Sequence, residues 1–426
     1  DSMTIPVRVI EPFAGFTISD TLICETGNNI TLDDTSVLIG GTTATTLWKF
    51  GNGETRVDTA QFNYSYPTSG NYDLRLISST PEGCKDSVSR LVIIKPSPKP
   101  GFTINQNIQC FNENEFLFTD TSKINSGIID TVIWHYGNAS IKQDQWLDTN
   151  NYSYSSHGVY QVKLYTSTLA GCSDSIIKQV EVLASPNANF IIDKDEQCFR
   201  ENFFTFNAAS TSIPEGNNSG FSWDYGDTST ANGITSSKRY NYPDSFLVSF
   251  RVVSDRGCPD TIKKLVKVNP TPTLQYQVNN PNQCFNENNF AFAGLANVSR
   301  GSISQTFWDL GDGNIKNGLN ISHQFQEFGP YSIKFYAVSD AGCADTLFNS
   351  VNVRPSPTNE ISVNDSQQCF GPHLFQFDAF KSKIADGSII AYNWDFDDDS
   401  ALLSGPGPFQ KSFAIKRPHL IRLVTA

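Results

Sequence analysis

Residues 132–138 read Val132-Ile133-Trp134-His135-Tyr136-Gly137-Asn138. β-branched and aromatic side chains run into a Gly-Asn pair, the composition of a half-buried strand closed by a tight turn. The tryptophan and the short turn after it recur at Trp48, Trp134, Trp223, Trp308 and Trp394, in steps of 86, 89, 85 and 86 residues. Cysteine keeps the same beat at Cys24, Cys110, Cys198, Cys284 and Cys369. A period near 86 residues is too long for a solenoid unit that needs neighbours to bury its core. It is long enough for a small domain that folds alone.

Working outward from Trp134, Pro100 to Gln106 reads as a first strand with Phe102 and Ile104 on one side. Cys110-Phe111-Asn112-Glu113-Asn114 is a polar loop, and Phe116-Leu117-Phe118 alternates again. Past the turn come Tyr152-Ser153-Tyr154, then Tyr160-Gln161-Val162-Lys163-Leu164 with period two. Gly171-Cys172 turns the chain into a last strand ending at Val182. Seven short strands with turn signals and no helical periodicity predict an all-β chain of tandem seven-stranded Ig-like sandwiches in an extended array.

The units divide as residues 12–96, 97–184, 185–269, 270–354 and 355–426. Each ends in proline: Pro96-Ser97-Pro98-Lys99-Pro100, Ser185-Pro186, Pro270-Thr271-Pro272 and Pro355-Ser356-Pro357. Proline fixes φ and favours extended chain, so the linkers are short and stiff. At about 35–40 Å per domain, five in line would span roughly 180 Å. Asp1-Ser2 matches Asp86-Ser87 and Asp174-Ser175, so residues 1–11 are expected to be the last strand of a preceding repeat. His419 to Ala426 matches Tyr72 to Ser79, so the fifth unit is expected to stop before its last strand, within a longer polypeptide.

The net charge of −12 argues against a nucleic-acid partner, since phosphate binding needs clustered Lys and Arg. No apolar run approaches the roughly 20 residues of a membrane-spanning helix, and the first residues read as internal chain rather than as a signal peptide, so the lack of one there says little. Cysteines at two fixed places per repeat read as a disulfide framework and an oxidising, extracellular or cell-surface setting.

Trp223-Asp224-Tyr225-Gly226-Asp227 and Trp308-Asp309-Leu310-Gly311-Asp312-Gly313 resemble the Trp-Asp-Phe-Gly-Asp-Gly signature of PKD domains. The Gly-x-Tyr-x-Val-x-Leu strand of that family recurs as Gly158-Val159-Tyr160-Gln161-Val162-Lys163-Leu164. Gln-Cys before the second strand (Gln109-Cys110, Gln197-Cys198, Gln283-Cys284, Gln368-Cys369) and Gly-Cys-x-Asp after the sixth are similar to the long PKD arrays of Bacteroidota surface proteins. The resemblance implies export by the type IX route and a role as adhesin, stalk or filament. The pattern departs at Trp48-Lys49-Phe50-Gly51-Asn52-Gly53, at Trp134-His135-Tyr136-Gly137-Asn138 and at Trp394-Asp395-Phe396-Asp397-Asp398-Asp399. A calcium site on the carboxylate after Trp could not be common to all units.

The Trp motif reads as core packing with a Gly-Asp hairpin turn. The carboxylates Asp395, Asp397, Asp398 and Asp399 of the fifth unit are a calcium candidate, since hard cations take several oxygens; no other cofactor is indicated. Tyr72, Tyr160 and Tyr331, replaced by Phe246 and His419, read as a tyrosine-corner element. His135, His157, His323, His373 and His419 sit at unrelated repeat positions, so no catalytic or metal set follows and no enzyme is indicated. Asp-Ser/Thr-aliphatic recurs at Ser87, Ser175, Thr261 and Thr346. It resembles the O-glycosylation signal of Bacteroidota, and the same letters also suit a turn leading into a strand.

Three cysteine states are open. Pairing within repeats gives Cys24–Cys84, Cys110–Cys172, Cys198–Cys258 and Cys284–Cys343, leaving Cys369. Pairing across repeats gives Cys24–Cys172, Cys110–Cys258 and Cys198–Cys343, with Cys84, Cys284 and Cys369 pairing outside this stretch. Free thiols are the third. Strand parity favours the second. The loop after strand one and the loop after strand six lie at opposite ends, about 30 Å apart, beyond the roughly 7 Å a disulfide spans between α-carbons. Phe111, Phe199, Phe285 and Phe370 would then fill the junctions.

The leading expectation is a structural segment of an extracellular fibre, stalk or surface appendage that presents an adhesive or effector tip. Its partners would be flanking repeats of the same chain or further copies in a filament. A multivalent array holding glycan or a surface protein is the alternative, with Tyr64/Tyr66, Tyr152/Tyr154 and Tyr240/Tyr242 as recurring aromatics. A spacer beside an enzyme domain is the third.

Overall fold

The computed structural model describes residues 2–40, 45–57 and 60–426. The second repeat shows the architecture. Its first strand is split into an outer half, Phe102–Ile104, and an inner half, Ile108–Cys110. The others are Phe116–Asp120, Thr131–His135, Ile141–Asp144, Thr149–Tyr152, Gly158–Ser167 and Ser173–Leu183, the second to seventh strands. The outer half, second and fifth strands form a three-stranded sheet. The inner half, seventh, sixth, third and fourth strands form a five-stranded one, in that order. The first, third and fourth repeats share both orders. The fifth has Ser362–Val363, Phe375–Asp378 and Phe409–Lys411 in one sheet and Leu403–Ser404, Tyr392–Asp395 and Arg422–Thr425 in the other.

The split places Cys110 at the end of a strand rather than in the polar loop expected for it. The inner half runs parallel to the seventh strand, with Cys110 opposite Leu183. A side-chain clamp holds this crossing. Gln109 Oε1 accepts from Glu115 N at 2.8 Å and its Nε2 donates to Glu115 O at 3.0 Å. Gln197, Gln283 and Gln368 accept from the backbone six residues on in the same way. The glutamine of the Gln-Cys pair therefore satisfies backbone that a strand changing sheets leaves unpaired.

Each sandwich has its own core. In the second repeat Phe102, Phe116, Phe118, Trp134, Val162, Leu164 and Val180 close the space between the sheets. The five motif tryptophans are at most 1% exposed. A fully buried side chain of that size removes more apolar surface from water than any aliphatic, which suits one Trp per repeat to anchoring the fold.

At the start of the chain, Glu11–Phe13 pairs antiparallel with Val37–Ile39 inside the first repeat. Residues 2–10, expected as a preceding repeat's last strand, form no strand, and Met3, Ile5, Val7 and Val9 are exposed. Asp1 of that expected strand lies outside the described residues.

Candidate functional site: the turn, the clasp and the junctions

The Trp strand ends in a turn under the sixth strand. At Gly311 φ is 77°, and a Cβ there would meet Ser332 O at 2.6 Å. Both the left-handed backbone and the close approach require glycine. The next residue always reaches the last residue of the fifth strand. Asn52 Nδ2 donates to the Tyr64 hydroxyl at 2.8 Å and Asn138 Nδ2 to that of Tyr152 at 2.9 Å. Asp227 pairs with Lys238 at 2.6 Å, Asp312 with His323 at 2.7 Å and Asp398 with Lys411 at 2.7 Å. An amide thus faces a hydroxyl, and a carboxylate faces a nitrogen side chain that can carry a cation. Burial pushes the Asp227 carboxyl up, but hydrogen bonds from Lys238 and Ser229 outweigh it and hold it below the usual carboxylate range. Burial likewise raises Tyr64, to about 12, with Glu54 adding to the effect.

This arrangement corrects the calcium candidate. Asp397 is held by Arg417 at 2.8 Å and accepts from Leu420 N, while Asp398 is held by Lys411 and accepts from Ser400. Asp395 accepts from Asp397 N at 3.1 Å. Two of the four carboxylates are committed to cationic side chains. Among the described residues, no three His, Cys, Asp or Glu side chains converge as a metal would require.

One recurring residue escaped sequence reading. Asn114 Nδ2 donates to Phe111 O and Tyr154 O, and its Oδ1 accepts from Tyr154 N at 2.7 Å. Asn28, Asn202 and Asn288 make the same three bonds to Tyr66, Tyr240 and Phe325 and to the loop before them. In the fifth repeat His373 Nε2 accepts from Phe413 N at 2.9 Å at that position. The only signal was an Asn four residues after the first cysteine in the first four repeats, within a loop rich in polar residues.

The clasp corrects the aromatic register. Tyr240 is the counterpart of Tyr66 and Tyr154, not of Tyr64, and all three are buried in the core. Each stacks on the aromatic six residues on: Tyr66 on Tyr72 at 4.1 Å, Tyr154 on Tyr160 at 3.9 Å, Tyr240 on Phe246 at 3.8 Å. The hydroxyls of Tyr72, Tyr160 and Tyr331 donate to the carbonyl four residues back, at Thr68, Ser156 and Glu327. His419 stacks on Phe413 at 4.0 Å and places Nε2 3.2 Å from Ile415 O, so an imidazole fills the tyrosine's place.

At the junctions the structure joins Cys24 to Cys172, Cys110 to Cys258 and Cys198 to Cys343, with Cα separations of 5.5 Å. Cys84, Cys284 and Cys369 are free and exposed. Strand geometry explains the choice. The first cysteine of a repeat lies beside the end of the seventh strand, and the second immediately precedes its start. An eleven-residue strand therefore separates them by about 36 Å. The covalent links have polar company. Lys95 Nζ donates to Ala170 O at 3.1 Å across the first junction. Arg256 holds Glu181 across the second, and Arg200 holds Asp345 in a bidentate pair across the third, where Arg300 also meets Asp244 at 3.2 Å. Arg200, Arg256 and Arg300 are more than half exposed, so such pairs add at most about 1 kcal/mol each. A closed loop spanning 148 residues restricts the unfolded chain by about 5 kcal/mol in the chain-entropy account. The covalent bond dominates.

Phe111, Phe199 and Phe285 each lean on their own repeat's core, Phe199 also lines a cavity with Thr271, Asn297 and Val298 at the third junction, and Phe370 is exposed. Ser87, Ser175, Thr261 and Thr346 are each the third residue of a seventh strand. Ser175 and Thr261 are exposed, whereas Ser87 and Thr346 are half-buried. The aspartates before them have structural tasks: Asp86 accepts from Ala14 N, Asp260 from Ala188 N, and Asp345 pairs with Arg200.

The family model for the PKD domain matches residues 183–269 and 269–354. The third and fourth sandwiches each match that model, one after the other. The chain is 26% identical over 138 residues to pre-pro-metalloprotease PrtV of Vibrio cholerae. That match takes in 32% of this chain and spans about 15% of the relative's length. Among solved structures, the PKD1 domain from Vibrio cholerae metalloprotease PrtV is similar at 24% identity and TM-score 0.18, over 20% of this chain and 96% of that one. A tetra-tandem repeat in the extending region of a large adhesion protein is similar at 10% identity and TM-score 0.26, over 81% of this chain and 100% of that one.

Proposed function

We propose that this chain is a structural segment of an extracellular fibre, stalk or surface appendage that holds an adhesive or effector tip away from its base. The observation that carries the reading is the disulfide at three successive junctions, always from the end of one sandwich to the start of the seventh strand in the next. Staples of that kind resist bending and separation of neighbours, and they persist in an oxidising, extracellular setting. The resemblance of the Gln-Cys and Gly-Cys-x-Asp variant to Bacteroidota arrays fits the same role and, with it, export by the type IX route. The partners proposed are flanking repeats and further copies of the chain.

The test is adhesion as a function of length. A known binding domain is displayed on cells through two or through five repeats, and capture is measured on ligand buried beneath a polymer brush. Capture that rises with repeat number, with no adhesion by the array alone, supports the stalk. Adhesion by the array without the added domain would overturn it in favour of multivalent binding to glycan or a surface protein.

A second reading, a spacer beside an enzyme domain, is favoured by the match to part of a metalloprotease. It shares the same mechanics and differs only in what the array carries.

A further inference from the structure

The cysteine spacing has two components. From the first cysteine of a repeat to the second the separation varies: 60 residues for Cys24 to Cys84, 62 for Cys110 to Cys172, 60 for Cys198 to Cys258 and 59 for Cys284 to Cys343. From the second cysteine to the first of the next repeat it is 26 every time: Cys84 to Cys110, Cys172 to Cys198, Cys258 to Cys284 and Cys343 to Cys369. Insertions and deletions are tolerated in one part of the repeat and absent from the other.

The disulfides show what sets the constant segment apart. A pull on both ends travels by the shortest covalent route. That route follows the chain to Cys24, crosses to Cys172, follows residues 172–198, and crosses from Cys198 to Cys343. Residues 25–171 and 199–342 lie off it. Cys110–Cys258 leads in the same way into residues 258–284, so a second route interleaves with the first. The segment on the first route comprises the seventh strand Ser173–Leu183, a proline linker, and both halves of the next first strand, Ile191–Ile192 and Glu196–Cys198. It is extended chain throughout most of its length. Fully stretched it reaches about 90 Å, against roughly 70–80 Å for the two sandwiches it spans. It has little length left to give.

We infer that the array is two interleaved covalent ladders, in which the 26-residue segments are tension members and most of each middle sandwich is shielded from unfolding under load. Constant length follows from this role, because a tie one residue longer than its neighbours would leave load on non-covalent contacts. The inference rests on covalent connectivity and holds whichever tip the array carries.

The experiment is single-molecule stretching of the 426-residue chain through handles at its two ends, with free thiols alkylated, before and after reductant is added to the tethered molecule. The fifth repeat, which no disulfide closes, should open in both states and serves as internal control. In the oxidised state the second and third repeats should give no unfolding steps, and the stretched length should be about threefold shorter than after reduction, when repeat-sized steps of about 250 Å appear. Cys198→Ser in the oxidised chain should lengthen it by about 400 Å. Repeat-sized steps from the second and third repeats without reductant would overturn the inference and leave the stalk reading standing.

Discussion

Asp227 and Lys238 meet at 2.6 Å in the third repeat at the place where Asn52 and Tyr64 meet in the first. Both side chains of the ion pair are at most 15% exposed. The turn after the Trp strand is therefore tied to the end of the fifth strand by matched chemistry, and the match changes from repeat to repeat without changing place.

Asp227→Ala should destabilise the third repeat by about 1–3 kcal/mol, because it strands the Lys238 ammonium in a half-buried site. Asp227→Asn combined with Lys238→Tyr, which installs the pair of the first two repeats, should recover most of the loss. Urea unfolding of Asp227→Asn, Lys238→Tyr and the double variant measures the coupling. Equal loss in the single and double variants would contradict the pairing.

The Asn clasp should matter more than its polar surroundings suggest. Asn202→Ala removes partners from Tyr240 N, Tyr240 O and Phe199 O, all at a buried corner. A cost of about 2–4 kcal/mol is expected. Substituting the exposed Glu201 in the same loop should change stability by less than about 0.5 kcal/mol. Chemical denaturation with disulfides intact reads both.

Acid should weaken the third, fourth and fifth repeats through these turns. The carboxyls of Asp227, Asp312 and Asp398 are all held below their ordinary value of 3.8. For Asp398 the hydrogen bond from Lys411 is the main cause. For Asp227 and Asp312 hydrogen bonds outweigh an opposing burial effect. A carboxyl whose folded value is depressed contributes stability fully above its unfolded value and loses it as pH falls through the folded one. Thermal midpoints should not fall on account of these groups between pH 8 and about 5, and should fall below about pH 4. Asp227→Asn should flatten that acid slope for the third repeat.

Non-reducing digestion and mass spectrometry should recover peptides joining Cys110 to Cys258 and Cys198 to Cys343. Peptides joining Cys110 to Cys172 would contradict the junctions, since both cysteines flank one strand at opposite ends. Arg200→Ala should leave the Cys198–Cys343 peptide yield unchanged, because an exposed ion pair is a minor partner of a covalent bond.

The sequence by itself determined the repeat, the strands and the tryptophan anchors. Apolar alternation around Trp134, the Gly-Asn turn and the proline linkers are local signals, each complete within a few residues. It also placed Tyr72, Tyr160 and Tyr331 at a structural corner, because their spacing from Gly and from the next alternating strand is fixed along the chain. Only the tertiary structure decided which groups face each other. Asp398 looked like one of four calcium ligands until Lys411 and Arg417 were seen to hold its cluster, and Asn114 looked like loop until Tyr154 came to it across 40 residues. The constant 26-residue spacing is a feature of the sequence, but it acquires meaning only from the disulfides that make this segment the shortest covalent route. Periodicity reports how a residue sits in its own strand. Pairing depends on the approach of strands far apart in the chain, and that approach is set by the packing of the sheets as a whole.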